Sequence, residues 1–307
     1  MMEIVKNASS KSHFENLFSR RIFHYGYLNT DPYLSDATSM AELLGILKDI
    51  KNFLAEKRTP ERPIYTVIAS TWSSKYDIIS ATDAAAAFRN VMVPDIYISK
   101  AHFVENDSRF NACVIVPPTF LEPPDIEESK GVYFYSLVTA LKHASDMDKL
   151  RHQGVGAAAL YLSVGVYGRW YFDPTDPKGN VEADTVGTLC QPKKIIEQMA
   201  SVAEACAEPK YKPLHESKRI DCKYVVDNET NRRFVFDSAN TLQRKLCTSK
   251  RNVTGLQFGI AAARVEFSDS EGLCSKNKFP LLSMLKKLVN FFKDEYKSAA
   301  DFENCLT

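Results

Sequence analysis

Most local signatures of chemistry are missing from this chain. Its 307 residues hold no H-E-x-x-H or H-x-H pair, no G-x-x-x-x-G-K-[ST] phosphate loop and no G-x-S-x-G elbow. These absences exclude the local forms of zinc, nucleotide and serine-nucleophile sites, so no metal, cofactor or catalytic residue is nominated. The seven cysteines contain no C-x-x-C pair; an odd, unpaired set argues for reduced thiols and a cytoplasmic protein. The amino-terminal stretch MMEIVKNASSKSHFENLF lacks the apolar core of a secretory signal, which leads to the same expectation. The N-x-S/T matches at Asn7, Asn106, Asn228 and Asn252 then carry no glycosylation.

Long apolar runs are also scarce. The most prominent uncharged stretch, Gly154–Gly168 (GVGAAALYLSVGVYG), ends at Arg169-Trp170-Tyr171-Phe172 and has only 15 residues. A membrane span needs about 20. Gly154, Gly156 and Ala159 satisfy the G-x-G-x-x-A dinucleotide pattern, but Asp146–Gln153 is too polar to be the buried strand that the motif requires. Asp173 and Asp176 stand near the distance expected of a ribose-binding acid, yet within a proline-bearing turn. The stretch therefore reads as core, either strand or helix, with Arg169 where that core reaches the surface. Strand and helix stay open for 62–70 as well.

A composition of 45% hydrophobic and 25% charged residues is that of an ordinary globular chain. The net charge of +1 is unevenly shared: residues 191–307 hold 20 Lys/Arg against 15 Asp/Glu. The excess concentrates in Lys210–Arg251, with 11 basic and 5 acidic side chains and interleaved aromatics. Such a segment has the ingredients of a single-stranded nucleic-acid surface: cations for phosphates and rings for bases.

Elements follow from periodicity. Ser39 and Glu42 form a capping box ahead of a stripe through Met40, Leu43, Leu44 and Leu47. A helix is expected over 82–92, strands over 95–103 and 109–116, and a helix with Phe134, Leu137, Val138 and Leu141 on one face. A further helix opens at Pro192 with Ile195, Ile196, Met199, Val202 and Cys206. Strands 222–226 and 232–236 flank a hairpin turn, Thr241–Cys247 reads as a helical turn, and 256–267 as a strand. Asp173–Asn180 reads as a turn and fails as a calcium loop, because Pro177 takes its fifth position. Four prolines in 117–124 mark a connector. The last helix, 279–300, carries Leu281, Leu285, Leu288, Phe292 and Tyr296 on one face and lysines on the other.

The expected fold class is α+β and helix-rich, with two lobes joined at the proline-rich hinge: 1–116, the connector 117–124, and 125–307. The expected function is a non-enzymatic, nucleocapsid- or coat-like viral structural protein. It binds single-stranded RNA through Arg169, Tyr224, Arg232, Arg233, Phe234, Arg244, Lys245, Lys250 and Arg251, and forms homo-oligomers through the C-terminal helix, with no membrane span. The alternatives are an intracellular enzyme whose site assembles near 154–168, or an assembly protein that binds no nucleic acid.

Overall fold

The computed structural model describes residues 24–28, 37–55, 65–70, 81–102, 114–122, 136–172, 184–190, 198–275 and 277–307. The chain forms two compact units, Met1–Ser99 with Lys142–Tyr161, and Lys100–Leu141 with Leu162–Thr307. The expected elements at 109–113, 125–135 and 173–180, and the opening of the helix at Pro192, lie outside the described residues.

The first unit alternates strand and helix: β1 (His24–Leu28), α1 (Ala37–Ala55), β2 (Tyr65–Ser70), α2 (Ala81–Asn90), β3 (Ile96–Lys100, up to Ser99), α3 (Leu137–His152, from Lys142) and the start of β4 (Ala159–Gly165, up to Tyr161). β1, β2 and β3 pair in parallel, with His24 opposite Tyr65 and Val67 opposite Ile96. Parallel neighbours need a crossover, which the helices supply. On α1 the expected stripe is buried: Met40, Leu43, Leu44 and Leu47. At the start of β3, Asp95 accepts hydrogen bonds from the Thr66 N–H and hydroxyl, both at 2.8 Å, and pairs with Lys51. Burial opposes its charge, but the bonds from Lys51 and Thr66 outweigh that and hold the carboxyl below its usual range.

This parallel sheet with crossover helices corrects the expected helix-rich α+β fold of two hinged lobes. The physical reason is that periodicity marks a strand such as 95–103 but not its parallel partner, which lies a whole crossover away in the chain. The proline-rich stretch is no hinge either. Within the second unit, Thr119 Oγ1 accepts the Gly165 N–H at 2.8 Å, and the Thr119 carbonyl accepts Lys245 Nζ at 2.5 Å. Lys245 also pairs with Asp237 at 2.6 Å, both side chains being 1% exposed.

The 154–168 stretch is resolved as a helix end followed by a strand. Gly154, at φ 77°, closes α3: its N–H bonds to the Arg151 carbonyl and the Val155 N–H to Leu150. That is a Schellman motif, so the glycine of the apparent nucleotide pattern terminates a helix instead of opening one. Leu160, Leu162 and Val164 of β4 are buried.

The rest of the second unit carries an antiparallel sheet in the order β6 (Gln198–Ala200), β5 (Gly168–Phe172), β9 (Arg232–Phe236), β8 (Cys222–Asp227) and β7 (His215–Ser217). The expected hairpin is present, with Asp227 opposite Arg232. Gly168 is required on this sheet, because a Cβ there would meet the Phe234 ring at 1.9 Å. α4 (Val202–Ala207) begins at a Ser201 cap directly after β6, so the single helix expected through Met199, Val202 and Cys206 is a strand and a short helix. α5 (Ala239–Arg251), β10 (Gly259–Ala263), α6 (Pro280–Asp294) and α7 (Phe302–Leu306) complete the unit.

Two disulfides tie these pieces, Cys206–Cys274 and Cys247–Cys305, and Cys190 is also disulfide-bonded. Paired cysteines correct the expectation of reduced thiols. The second bond joins α5 to α7 and thereby closes a loop around α6, whose apolar face is buried in its own unit. This removes the basis for homo-oligomerisation by exchange of the C-terminal helix. Cys222 is free and fully buried, and burial pushes its thiol well up. Replacing Cys247 and Cys305 together by Ser is expected to lower unfolding free energy by about 4 kcal/mol, from the loop of 58 residues they close; urea titration measures it. Thiol-reactive probes should label Cys222 only after unfolding, which peptide mapping reads.

Candidate functional site at the strand ends

Sites in parallel α/β folds form at the carboxyl ends of the strands. In the second unit, the Ala101 N–H donates to the Ser163 carbonyl at 3.1 Å and the Val166 N–H to the Ala263 carbonyl at 3.2 Å. These bonds set the ends of β3, β4 and β10 beside one another. They gather Lys100, His102, Ser163, Arg169 and Arg264, all within that unit.

Side-chain alternation fixes which face β3 presents. Tyr97 and Ser99 both meet the His143 ring on α3, at 3.4 and 3.5 Å. Ile96, Ile98 and Lys100 therefore project from the opposite face of the strand. Lys100 is 1% exposed, and its Nζ has no hydrogen-bond partner among the described residues. Burial pulls its ammonium down to about 7.

His102 Nδ1 lies 2.8 Å from Ser163 Oγ, which accepts the Ala101 N–H at 3.3 Å. Ser163 holds the ring through Nδ1, and which partner donates follows the ring's tautomer. Burial, then the charges of Lys100, Arg264 and Arg169, push His102 down to about 3. The ring is neutral near neutrality and lacks the imidazolium proton that a general acid would give. Arg169 is fully buried, with its guanidinium 5.7 Å from the Tyr171 ring centre. Arg264 follows β10 in the left-handed region, φ 62° and ψ 48°, and meets Glu266 at 3.6 Å. A left-handed arginine costs on the order of 1–3 kcal/mol, and such strain clusters at ligand sites.

Three basic side chains and an imidazole thus lie together in the second unit, Lys100, Arg169 and His102 buried and Arg264 half-exposed. Among the described residues no group of three His, Cys, Asp or Glu side chains could hold a metal. No described helix is long and apolar enough to cross a membrane.

Of the nine residues read from the sequence, only Arg169 belongs to this cluster. Arg232 lies over the Trp170 ring at 4.9 Å and pairs with Asp227 at 3.5 Å. Buried Arg233 lies over Tyr224 at 5.2 Å. Tyr224 and Phe234 are buried in separate clusters on opposite faces of the sheet, so they cannot share one stacking platform. Arg244 pairs with Glu216 and Asp221, and Lys245 with Asp237. Lys250 donates to the carbonyls of Val253, Thr254 and Leu256 amid Phe258, Phe292 and Tyr296, and burial brings it to about 8. Arg251 lies over Phe302 at 4.6 Å. Lys100, His102 and Arg264 were missed; the legible signal was a lysine at an inward position of the apolar segment IYISK.

No family profile matches the chain, and no curated protein matches its sequence. Solved structures do match its fold. A Group IV chitinase from Ostrinia furnacalis, solved with allosamidin, superposes with a TM-score of 0.61 at 13% identity, covering 94% of this chain and 75% of the other. An immunomodulatory active chitinase from Trichuris suis gives 0.62 at 13%, over 93% and 75%. Human YKL-39, described as a pseudo-chitinase with retained chitooligosaccharide-binding properties, gives 0.57 at 15%, over 92% and 75%. The fold is thus that of the chitinase-like barrels. These likenesses overturn the expectation of an RNA-binding, nucleocapsid-like viral structural protein with single-stranded RNA as partner. The basic segment behind that expectation supplies internal pairs instead.

Because the folded protein binds the Lys100 proton less tightly than the unfolded chain does, stability rises with pH between about 7 and 10.5. A Lys100→Met variant is expected to be more stable than its parent at and below the lower limit, with the gap closing toward the upper one. Urea denaturation across that window checks this; a gap that is constant with pH refutes it.

Proposed function

We propose that the chain is a saccharide-binding barrel that does not hydrolyse glycosidic bonds, with its site at the carboxyl ends of β3, β4 and β10. The observation that carries this reading is the buried amine of Lys100 at the end of β3, with Lys100, Arg169 and Arg264 all close to His102. Glycosidic cleavage develops positive charge on the sugar ring, and carboxyl groups protonate the leaving oxygen and stabilise that charge. Cations placed there act with the wrong sign. His102 cannot substitute as the acid, since burial and its cationic neighbours keep it deprotonated above about 3.

The fold neighbours support a saccharide as ligand. One was solved with allosamidin, and another is described as retaining chitooligosaccharide binding as a pseudo-chitinase. Binding without cleavage is therefore compatible with this architecture. The disulfides favour work in an oxidising compartment over the cytoplasm.

Calorimetric titration with chitooligosaccharides, paired with a reducing-end assay on the same samples, tests the proposal. Measurable binding with no product above the protein-free blank is the expected result. Turnover by the purified protein, or no binding to any oligosaccharide, overturns it.

A further inference from the structure

Resting on the saccharide reading, we propose that the ligand of this site is an acidic saccharide, a sugar bearing a carboxylate or sulfate whose negative group is received by Lys100. A buried ammonium without a hydrogen bond is costly, since burying a charge is offset only by a paired and hydrogen-bonded counter-charge. Lys100 Nζ is buried and lacks a partner among the described residues. The neighbouring charges do not supply that partner. Arg169 and Arg264 lie close enough to oppose protonation of His102 together with Lys100, and Glu266 is engaged with Arg264.

Placement adds selectivity to the charge. Lys100 lies two residues before His102 on one stretch of chain, and Ser163 orients the His102 ring through Nδ1. The other ring nitrogen, Nε2, is a neutral polar atom suited to a hydrogen bond with a sugar hydroxyl. A ligand with both an anionic group and ordinary sugar acceptors would use the ammonium and the imidazole together. A neutral oligosaccharide would use only the imidazole and leave the ammonium unsatisfied, and that difference is the basis of discrimination. Charge-assisted bonds to carboxylate or sulfate oxygens are about twice as strong as neutral ones.

Three tetrasaccharides serve as probes: chitotetraose, hyaluronan tetrasaccharide, whose glucuronates supply carboxylates, and O-sulfated chitotetraose. Each is titrated calorimetrically into the full chain at physiological salt, which screens exposed lysines more than buried ones. At least one acidic tetrasaccharide is expected to bind about tenfold or more tightly than chitotetraose, roughly the value of one charge-assisted contact. In Lys100→Met that preference ratio should fall toward one. Arg264→Gln, at a half-exposed side chain, should lower it too and serves if the first variant does not fold. The two acidic probes separate carboxylate from sulfate recognition. Chitotetraose bound as well as or better than both acidic probes overturns the inference and leaves the saccharide reading standing. So does an acidic preference that survives both substitutions. Absence of binding by all three tetrasaccharides removes both.

Discussion

Parallel pairing is the constraint on which the rest depends. Once β1, β2 and β3 run the same way, each must be reached by a crossover, and all their carboxyl ends lie at one edge. Stabilising contacts and the proposed ligand contacts are thereby separated along β3. Its first end is flanked by Asp95, a carboxylate stabilised by Lys51 and Thr66. Its last end holds Lys100, a charge that no described side chain satisfies. Within five residues the strand passes from a satisfied ion to an unsatisfied one, and the second kind points to function.

The second unit shows how the chain disposes of its other buried cations. Lys245 has Asp237 and the Thr119 carbonyl, and Lys250 has three carbonyls at the end of α5 with aromatic rings around it. Each is compensated by named groups. Lys100 differs in having desolvation as the sole cause of its shift and no hydrogen bond to offset it. The basic excess in 210–251 therefore reports internal pairing, whereas the candidate site rests on a few cations in regions of unremarkable charge.

That contrast explains what was legible. The β8–β9 hairpin and the stripe of α6 follow from local rules, a turn between alternating segments and a helical spacing, and both appear as expected. The parallel sheet does not, since its pairings join residues about thirty to forty positions apart. Met199 and Val202 share a helical spacing but are split by the Ser201 cap into strand and helix, a tertiary choice that periodicity does not carry. Arg169 was legible as the charge ending an apolar run, but it is fully buried and does not mark where the core reaches the surface. Its association with Lys100, His102 and Arg264 was not, because only backbone pairing brings those distant segments together. Aromatics among basic residues resembled a nucleic-acid surface because cation–π pairs and stacking platforms use the same side chains.

The most direct test of a cationic receptor at the strand ends is a crystal structure of the chain grown with an acidic oligosaccharide. An anionic oxygen within about 3 Å of Lys100 Nζ, with the sugar against His102, is the predicted result. A saccharide bound elsewhere, or Lys100 Nζ already paired with a carboxylate of its own chain, would contradict it.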